Sequence, residues 1–279
     1  MTVVDTKSWL RNYCKTYQKK ASLDNYRIQC ETLCFPIESY IRDMSAEELH
    51  FALLQYGLFH PTEDTQDICD SVHALDQFGI WNALNMEYRH LQKEWRGPSV
   101  PVFIFPITLS NQPSCQKPTE KNGVSLEEGI FLFVSPFILK QEVFAVLAHE
   151  YNHSCRLFHT QNHRHDMSLL DVILLEGMAE YAVGKRYGSK WNAGWIHMYS
   201  DNELQALWTD HYIDHLGIKR EEEQLEYMFG GGTRNIPEHA GYAIGFSIIT
   251  SFLNQHSFSW TELFSLDSKY IVEHSAFSL

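Results

Sequence analysis

The sequence is short of several things, and each shortage excludes something. Its six cysteines are spread along the chain with no CxxC pair, so neither a zinc ribbon nor a thioredoxin-type redox motif is present. Glycine (15) and proline (9) are too few in 279 residues for a fibrous or low-complexity protein. Basic residues are scarce: 22 Lys and Arg stand against 35 Asp and Glu, a net charge of −13. No basic run exceeds Lys19-Lys20 or Lys219-Arg220. This balance argues against non-specific nucleic-acid binding and against adhesion to an anionic membrane surface. No stretch approaches the ~18 consecutive apolar residues of a membrane span. The first ten residues lack the basic start and apolar core of a signal peptide. No G-x-S-x-G nucleophile elbow and no GxxxxGK[ST] phosphate loop occurs. The expectation is a soluble, cytoplasmic protein with reduced thiols, because a chain this long needs no disulfides to fold.

What is present is core-forming material. Hydrophobic residues make up 44% of the chain and aromatic residues 14%, enough for one large core or two small ones. Apolar spacing predicts a helix over 5–20, with Trp9, Leu10, Tyr13 and Tyr17 on one face. Two short helices are expected in 24–60, broken near Pro36. Ser45-Ala-Glu-Glu48 is a capping box that starts the second of them. Further helix is expected from 65 to 95, interrupted near Gly79. The character then changes. Val100–Pro106 and Gly129–Val134 are β-branched and aromatic runs bounded by turn residues, and both read as strands. Residues 107–128 between them read as a loop or hairpin connection. Long helices follow over 140–158 and 168–187, separated by a polar, His-rich loop at 159–167. More helix is expected over 201–216, 219–229 and 239–255, with a short one from Trp260. The predicted fold class is α+β, mostly helical, with a small sheet just before the central helix pair. An N-terminal helical region (1–98) would precede a region carrying the chemistry (99–279).

The chemistry is announced by His149-Glu-Tyr-Asn-His153. Residues four apart share a helix face, so both imidazoles can reach one metal ion. Glu150 lies beside them, able to take a proton from a metal-bound water. That is the arrangement for zinc-assisted hydrolysis. A tetrahedral catalytic zinc needs a third protein ligand and an open position for water. Two residues compete for the role. His159 sits ten residues after His149, where metzincins place their third histidine, but that pattern needs a turn-forming Gly where Arg156 stands. If the helix continues past Arg156, His159 points away from the metal. Glu176 lies on the next helix, in Leu174-Leu-Glu-Gly-Met-Ala-Glu180, where an acid among apolar residues is costly unless paired or metal-bound. Gly177 beside it suggests close approach of this helix to the histidine helix. Glu180, one turn on, could hold the ring N–H of a ligating histidine or pair with Lys185 or Arg186 at the surface.

At these residues a family resemblance appears. HExxH followed on a second helix by E-G-x-A-E resembles the gluzincin branch of zinc metallopeptidases. The finer match is to the YjaZ-like family of predicted Zn-dependent proteases. His149–Arg156 resembles its HEYxHxxR, Leu175–Tyr181 its L-x-EGLAEY with Met178 for Leu, and Gly241–Gly245 its GYxxG. The resemblance spans roughly residues 100–275. It implies a zincin-like fold, a peptidase activity, Glu176 as third zinc ligand and Glu180 as the supporting acid.

Tyr242 and His239, on the Glu238–Tyr242 segment, are candidates to stabilise the oxyanion of a tetrahedral intermediate. Strand 129–134 would align an extended peptide if it were an edge, which the sequence does not decide. Arg156 can anchor a loop or a carboxylate, with surface pairing the favoured reading, and the His159, His163, His165, Asp166 cluster reads as a solvated connector. The expectation is a Zn²⁺-dependent metallopeptidase, with metal on His149, His153 and Glu176 and with Glu150 as general base. A peptide or protein would be its substrate, with neither nucleic acid nor membrane as partner. A non-catalytic, metal-stabilised module that holds a peptide in the same cleft is the alternative. A metal buffer using the 159–165 loop is a weaker third.

Overall fold

The computed structural model describes residues 3–17, 25–107 and 120–279. In chain order they form α1 (Thr6–Tyr17), α2 (Asn25–Gln29), α3 (Ala46–Tyr56), α4 (Thr65–Gln77) and α5 (Ile80–Trp95). Three strands follow, β1 (Val102–Pro106), β2 (Lys121–Leu126) and β3 (Gly129–Val134). Then come α6 (Lys140–Thr160), α7 (Leu169–Tyr187), α8 (Asp201–Leu207), α9 (Glu221–Phe229), α10 (Ala240–Gln255), α11 (Trp260–Ser265) and α12 (Ser268–Glu273). The class is α+β, mostly helical with one three-stranded mixed sheet. Among the described residues no helix is long and apolar enough to cross a membrane. The chain divides into two compact units, each assembled from two stretches: Met1–His90 with Ser99–Glu150, and Leu91–Pro98 with Tyr151–Leu279.

The first unit holds the sheet, in the order β1-β3-β2. β1 and β3 run parallel and every residue of both is buried. Their unbroken apolar sequences follow from that, because a strand covered on both faces has no solvent side to alternate with. Phe103 stacks on its register partner Phe131 at 4.9 Å. β3 is therefore the central strand and offers no free edge. β2 pairs antiparallel with β3 through a hairpin at Glu127-Glu128 and forms one border of the sheet. Its sequence, KNGVSL, is too polar to read as a strand, and only Val124 and Ser125 are buried in it. At the other border, Val4 N–H donates to the Val102 carbonyl (2.9 Å) and the Thr6 hydroxyl to that of Ile104 (2.6 Å). α3 starts on the expected capping box, with Ser45 and Glu48 exchanging hydrogen bonds.

One expectation is overturned in this unit: Cys14 of α1 and Cys69 of α4 form a disulfide. Chain length argued that no disulfide was needed, but the two helices pack side by side and bring the sulfurs together. The assumption of uniformly reduced thiols, one ground for a cytoplasmic location, falls with it. Cys30, Cys34 and Cys155 are free and buried.

The second unit is built around α7 and α10, which share the largest helix–helix contact in it. α7 starts at a capping box in which Ser168 and Asp171 exchange hydrogen bonds, and it stops at Gly188. It is buried on most sides, including Ile173, Leu174, Leu175, Met178 and Ala179. The crossing is possible because of two glycines. A Cβ on Gly177 would fall onto the carbonyl of Gly245 and lie 2.6 Å from Phe246 N, and a Cβ on Gly245 would fall onto the carbonyl of Ile173. Gly177 thus serves the approach of α10, where the sequence suggested approach to the histidine helix. The part of α6 in this unit is anchored by Trp95, whose ring stacks on Tyr151 and also meets Trp260 and Phe264.

Candidate metal centre

α6 is one helix from Lys140 to Thr160, apolar on its buried side through Val143, Leu147, Ala148, Tyr151 and Cys155. His149 and His153 stand one turn apart on it, on one face. In the second unit Glu176 of α7 brings Oε1 to 3.5 Å from His153 Nε2. His149, His153 and Glu176 each offer a ligand atom, and all three atoms lie within 4.8 Å of one another. Among the described residues this is the one group of three or more His, Cys, Asp or Glu able to hold a metal ion. The donor set suits zinc. Zn–N and Zn–O bonds of about 2.0–2.2 Å in tetrahedral array set neighbouring ligand atoms about 3.3–3.6 Å apart, and the His153–Glu176 separation falls in that interval. The His153 side chain is 3% exposed and that of Glu176 13%.

Glu150 is buried within the first unit. β2 passes directly over it: a Cβ on Gly123 would lie 2.7 Å from Glu150 Cγ and 2.9 Å from Oε1. Only glycine at 123 leaves the strand that close to the carboxylate. Nothing in the polar 107–128 stretch signalled this contact beyond the Asn122-Gly123 pair, which reads equally well as a turn.

Glu180 is 5% exposed. Its Oε2 accepts from Asn192 Nδ2 (2.8 Å) and from Ala193 N–H (3.0 Å), while Asn192 also donates to the Glu180 main-chain carbonyl (2.6 Å). The segment after α7 therefore folds back and fixes the acid. Arg186 pairs with Glu94. Asn192 escaped the sequence reading because its role depends on a loop whose path has no local signal.

His159 does not join the group. α6 continues past Arg156 to Thr160, and the His159 ring stacks on Phe264 at 5.7 Å. His163, His165 and Asp166 are exposed, with the two imidazoles stacked at 5.5 Å. For Arg156 the favoured surface-paired reading gives way to the loop-anchoring one. The residue is 5% exposed, and its guanidinium donates to the carbonyls of Phe264 (2.6 Å) and Leu266 (2.7 Å), more weakly to that of Leu263 (3.4 Å), and to Ser268 Oγ (3.3 Å). Its charge suggested surface, but α11 ends with carbonyls that have no partner in their own helix, and a buried guanidinium satisfies them.

Tyr242 and His239 lie at the start of α10, three and six residues before the Gly245 crossing. Tyr242 sits among aromatic rings, with centroids of Trp195, Phe229 and His239 at 5.1, 5.3 and 5.9 Å. His239 adopts a left-handed backbone (φ 55) and its Nδ1 is buried with no hydrogen-bond partner. Such a conformation costs a non-glycine residue about 1–3 kcal/mol.

Comparison with known proteins meets this geometry. The chain is 30% identical over 274 residues to "Uncharacterized protein YjaZ" of Bacillus subtilis, covering 98% of this chain and 99% of that one. It is 29% identical over 136 residues to "Uncharacterized protein YjfC" of the same organism, covering 46% and 45%. No solved structure matches. The family model described as predicted Zn-dependent protease (DUF2268) matches residues 80–273, a span that contains HExxH, Glu176 and the whole of α10. The chain belongs to this family of predicted Zn-dependent proteases.

Proposed function

We propose that the protein is a zinc-dependent metallopeptidase of gluzincin type with a zincin-like core, holding Zn²⁺ through His149, His153 and Glu176. The observation that carries this reading is the convergence of two imidazoles and one carboxylate within 4.8 Å, with the Glu150 carboxylate on the same helix. His149, His153 and Glu176 would hold the ion, which when bound would supply Lewis acidity to a substrate carbonyl and to a water. Glu150 accepts the proton of the attacking water and delivers it to the leaving amine. Its burial under β2 restrains the carboxylate and keeps bulk water from competing for it. Glu180, pinned by Asn192 and Ala193, orients a ligating imidazole through its ring N–H. Tyr242 or His239 donates to the developing oxyanion, supported by the Gly177–Gly245 crossing that seats α10 against the Glu176 helix. The strand suited to align a peptide by main-chain hydrogen bonds is β2, at the sheet border beside Glu150, in place of the central β3. A cytoplasmic location remains part of this reading.

The test pairs zinc content per chain with hydrolysis of a mixed peptide library, for wild type and Glu150→Gln. Wild type should bind one zinc and cleave. Glu150→Gln should keep the zinc and lose at least two orders of magnitude in rate. Cleavage that survives the substitution refutes the assigned base. A zinc-loaded wild type that captures peptides without cleaving any replaces the peptidase with a binding module.

A further inference from the structure

Arg156 is an expensive residue to bury, because removing a charge from water costs several kcal/mol unless its hydrogen bonds are made good. Here they are made good in one direction. The guanidinium gathers the carbonyls that close α11 and reaches Ser268, the first residue of α12. The chain of bonds continues. Ser268 Oγ donates to Asp171 Oδ1 (2.6 Å). Asp171 Oδ2 accepts from Ser168 N–H (3.0 Å) and Ser168 Oγ (2.6 Å) in the capping box that starts α7. One end of this relay is three residues beyond His153 on α6, and the other is five residues before Glu176 on α7. Each Asp171 oxygen has one task, one towards its own helix start and the other towards Ser268. Burial lowers the Arg156 pKa to about 10, against the raising charges of Asp171 and Asp267, so the guanidinium stays charged at neutral pH.

We propose that the Arg156–Ser268–Asp171 relay is a positioning device for the metal site, setting the separation of His153 and Glu176 by tying α6 to the start of α7. The inference rests on the zinc reading given above. It goes beyond that reading by assigning a role to residues that touch neither metal nor substrate. A hydrophobic residue at 156 could fill space, but it would not bind three carbonyls and a hydroxyl in fixed directions. A helix end held by charge-assisted hydrogen bonds has little freedom to slide. A ligand pair 3.5 Å apart tolerates only a few tenths of an ångström of slide before one bond to the ion lengthens.

Ser268→Ala is the cleanest probe, since it cuts the relay at its middle and leaves the Arg156–carbonyl bonds in place. Ser268→Thr restores a hydroxyl, and Arg156→Lys keeps the charge without the planar fork. The full chain is loaded with zinc, and the zinc dissociation constant is measured by competition with a chelator. The visible spectrum of the Co²⁺-substituted protein is recorded beside it, with a thermal melt for each variant. Ser268→Ala should weaken zinc at least tenfold, in the range known for outer partners of metal ligands. It should also alter the Co²⁺ bands, while the apo protein stays folded and melts only a few degrees lower, about what the lost hydrogen bonds themselves cost. Ser268→Thr should recover both readouts and Arg156→Lys should not. If Ser268→Ala does not fold, the Lys and Thr variants carry the comparison. Wild-type zinc affinity and wild-type Co²⁺ bands in Ser268→Ala or Arg156→Lys overturn the relay while leaving the zinc reading intact. A wild type that binds no zinc overturns both.

Discussion

Gly177→Ala adds one methyl group at the point where α7 and α10 are closest. Elsewhere in a helix the change would help, because alanine exceeds glycine in helix propensity by about 1 kcal/mol. Here the new Cβ would overlap the Gly245 carbonyl and lie 2.6 Å from Phe246 N. Comfortable separation is about 3.5 Å, and both obstacles are backbone that cannot rotate aside. The helices must therefore part by more than about 1 Å, loosening contacts along two elements whose inner residues are fully buried. Overpacking of this kind costs 1–3 kcal/mol and occasionally more, and an immovable backbone obstacle places this site at the upper end. After the propensity gain the net loss is about 2 kcal/mol. At roughly 2–4 °C per kcal/mol for a protein of this size, the melting temperature should fall by about 4–8 °C. Because Glu176 is the adjacent residue, zinc affinity should fall with it. The assay is a thermal melt of the apo protein beside a zinc competition titration. Gly217→Ala is the control, since a Cβ there meets nothing within 4 Å. An unchanged or raised melting temperature for Gly177→Ala would refute the claim that this glycine exists for the crossing.

Two further outcomes concern the first unit. Cys14 and Cys69 are 55 residues apart in sequence, and closing a loop of that length lowers the entropy of the unfolded chain by an amount worth about 4 kcal/mol. Replacing both by Ser should lower the denaturant midpoint of this unit and abolish its sensitivity to dithiothreitol; equal midpoints in oxidised and reduced wild type would contradict this. His50 is buried, sharing a hydrogen bond with Gln29, which in turn donates to the Phe59 carbonyl. Burial, followed by the charge of His60, lowers its pKa. The unfolded chain therefore takes up this proton first, near pH 6.5. The stability contribution is full above that pH and is lost as the pH falls below it. The decline in denaturant midpoint from pH 7.5 to 5.5 should be shallower in His50→Gln, and an identical decline in both proteins would dismiss His50 as its source.

Much of this molecule was legible in the chain because the signals are local. The capping box at Ser45 needs only four residues, and α3 starts where those residues say. The 3.6-residue period put His149 and His153 on one face before any fold was known. An acid embedded in Val172–Ala179 needs a polar neighbour, and Glu176 Oε1 lies 3.5 Å from His153 Nε2. The continuous apolar runs of β1 and β3 marked strands because burial on both faces leaves no alternation to find. Other features were decided by tertiary structure, for a common reason: each depends on which distant segment arrives. β2 is polar and becomes a strand because β3 offers it a ladder. Gly177 faces α10 because Gly245, 68 residues later, has no side chain either. Glu180 is held by a loop that returns after α7, and Cys14 meets Cys69 because two helices lie side by side. Arg156 looks like any surface charge in sequence. It is buried because the end of α11 supplies carbonyls in need of a donor, and only the folded chain brings that end to α6. The sequence by itself determined the chemistry of the candidate metal-binding side chains and the helices that carry them. The fold decided their separation and the burial of Arg156, because hydrogen bonds between segments a hundred residues apart have no period to read.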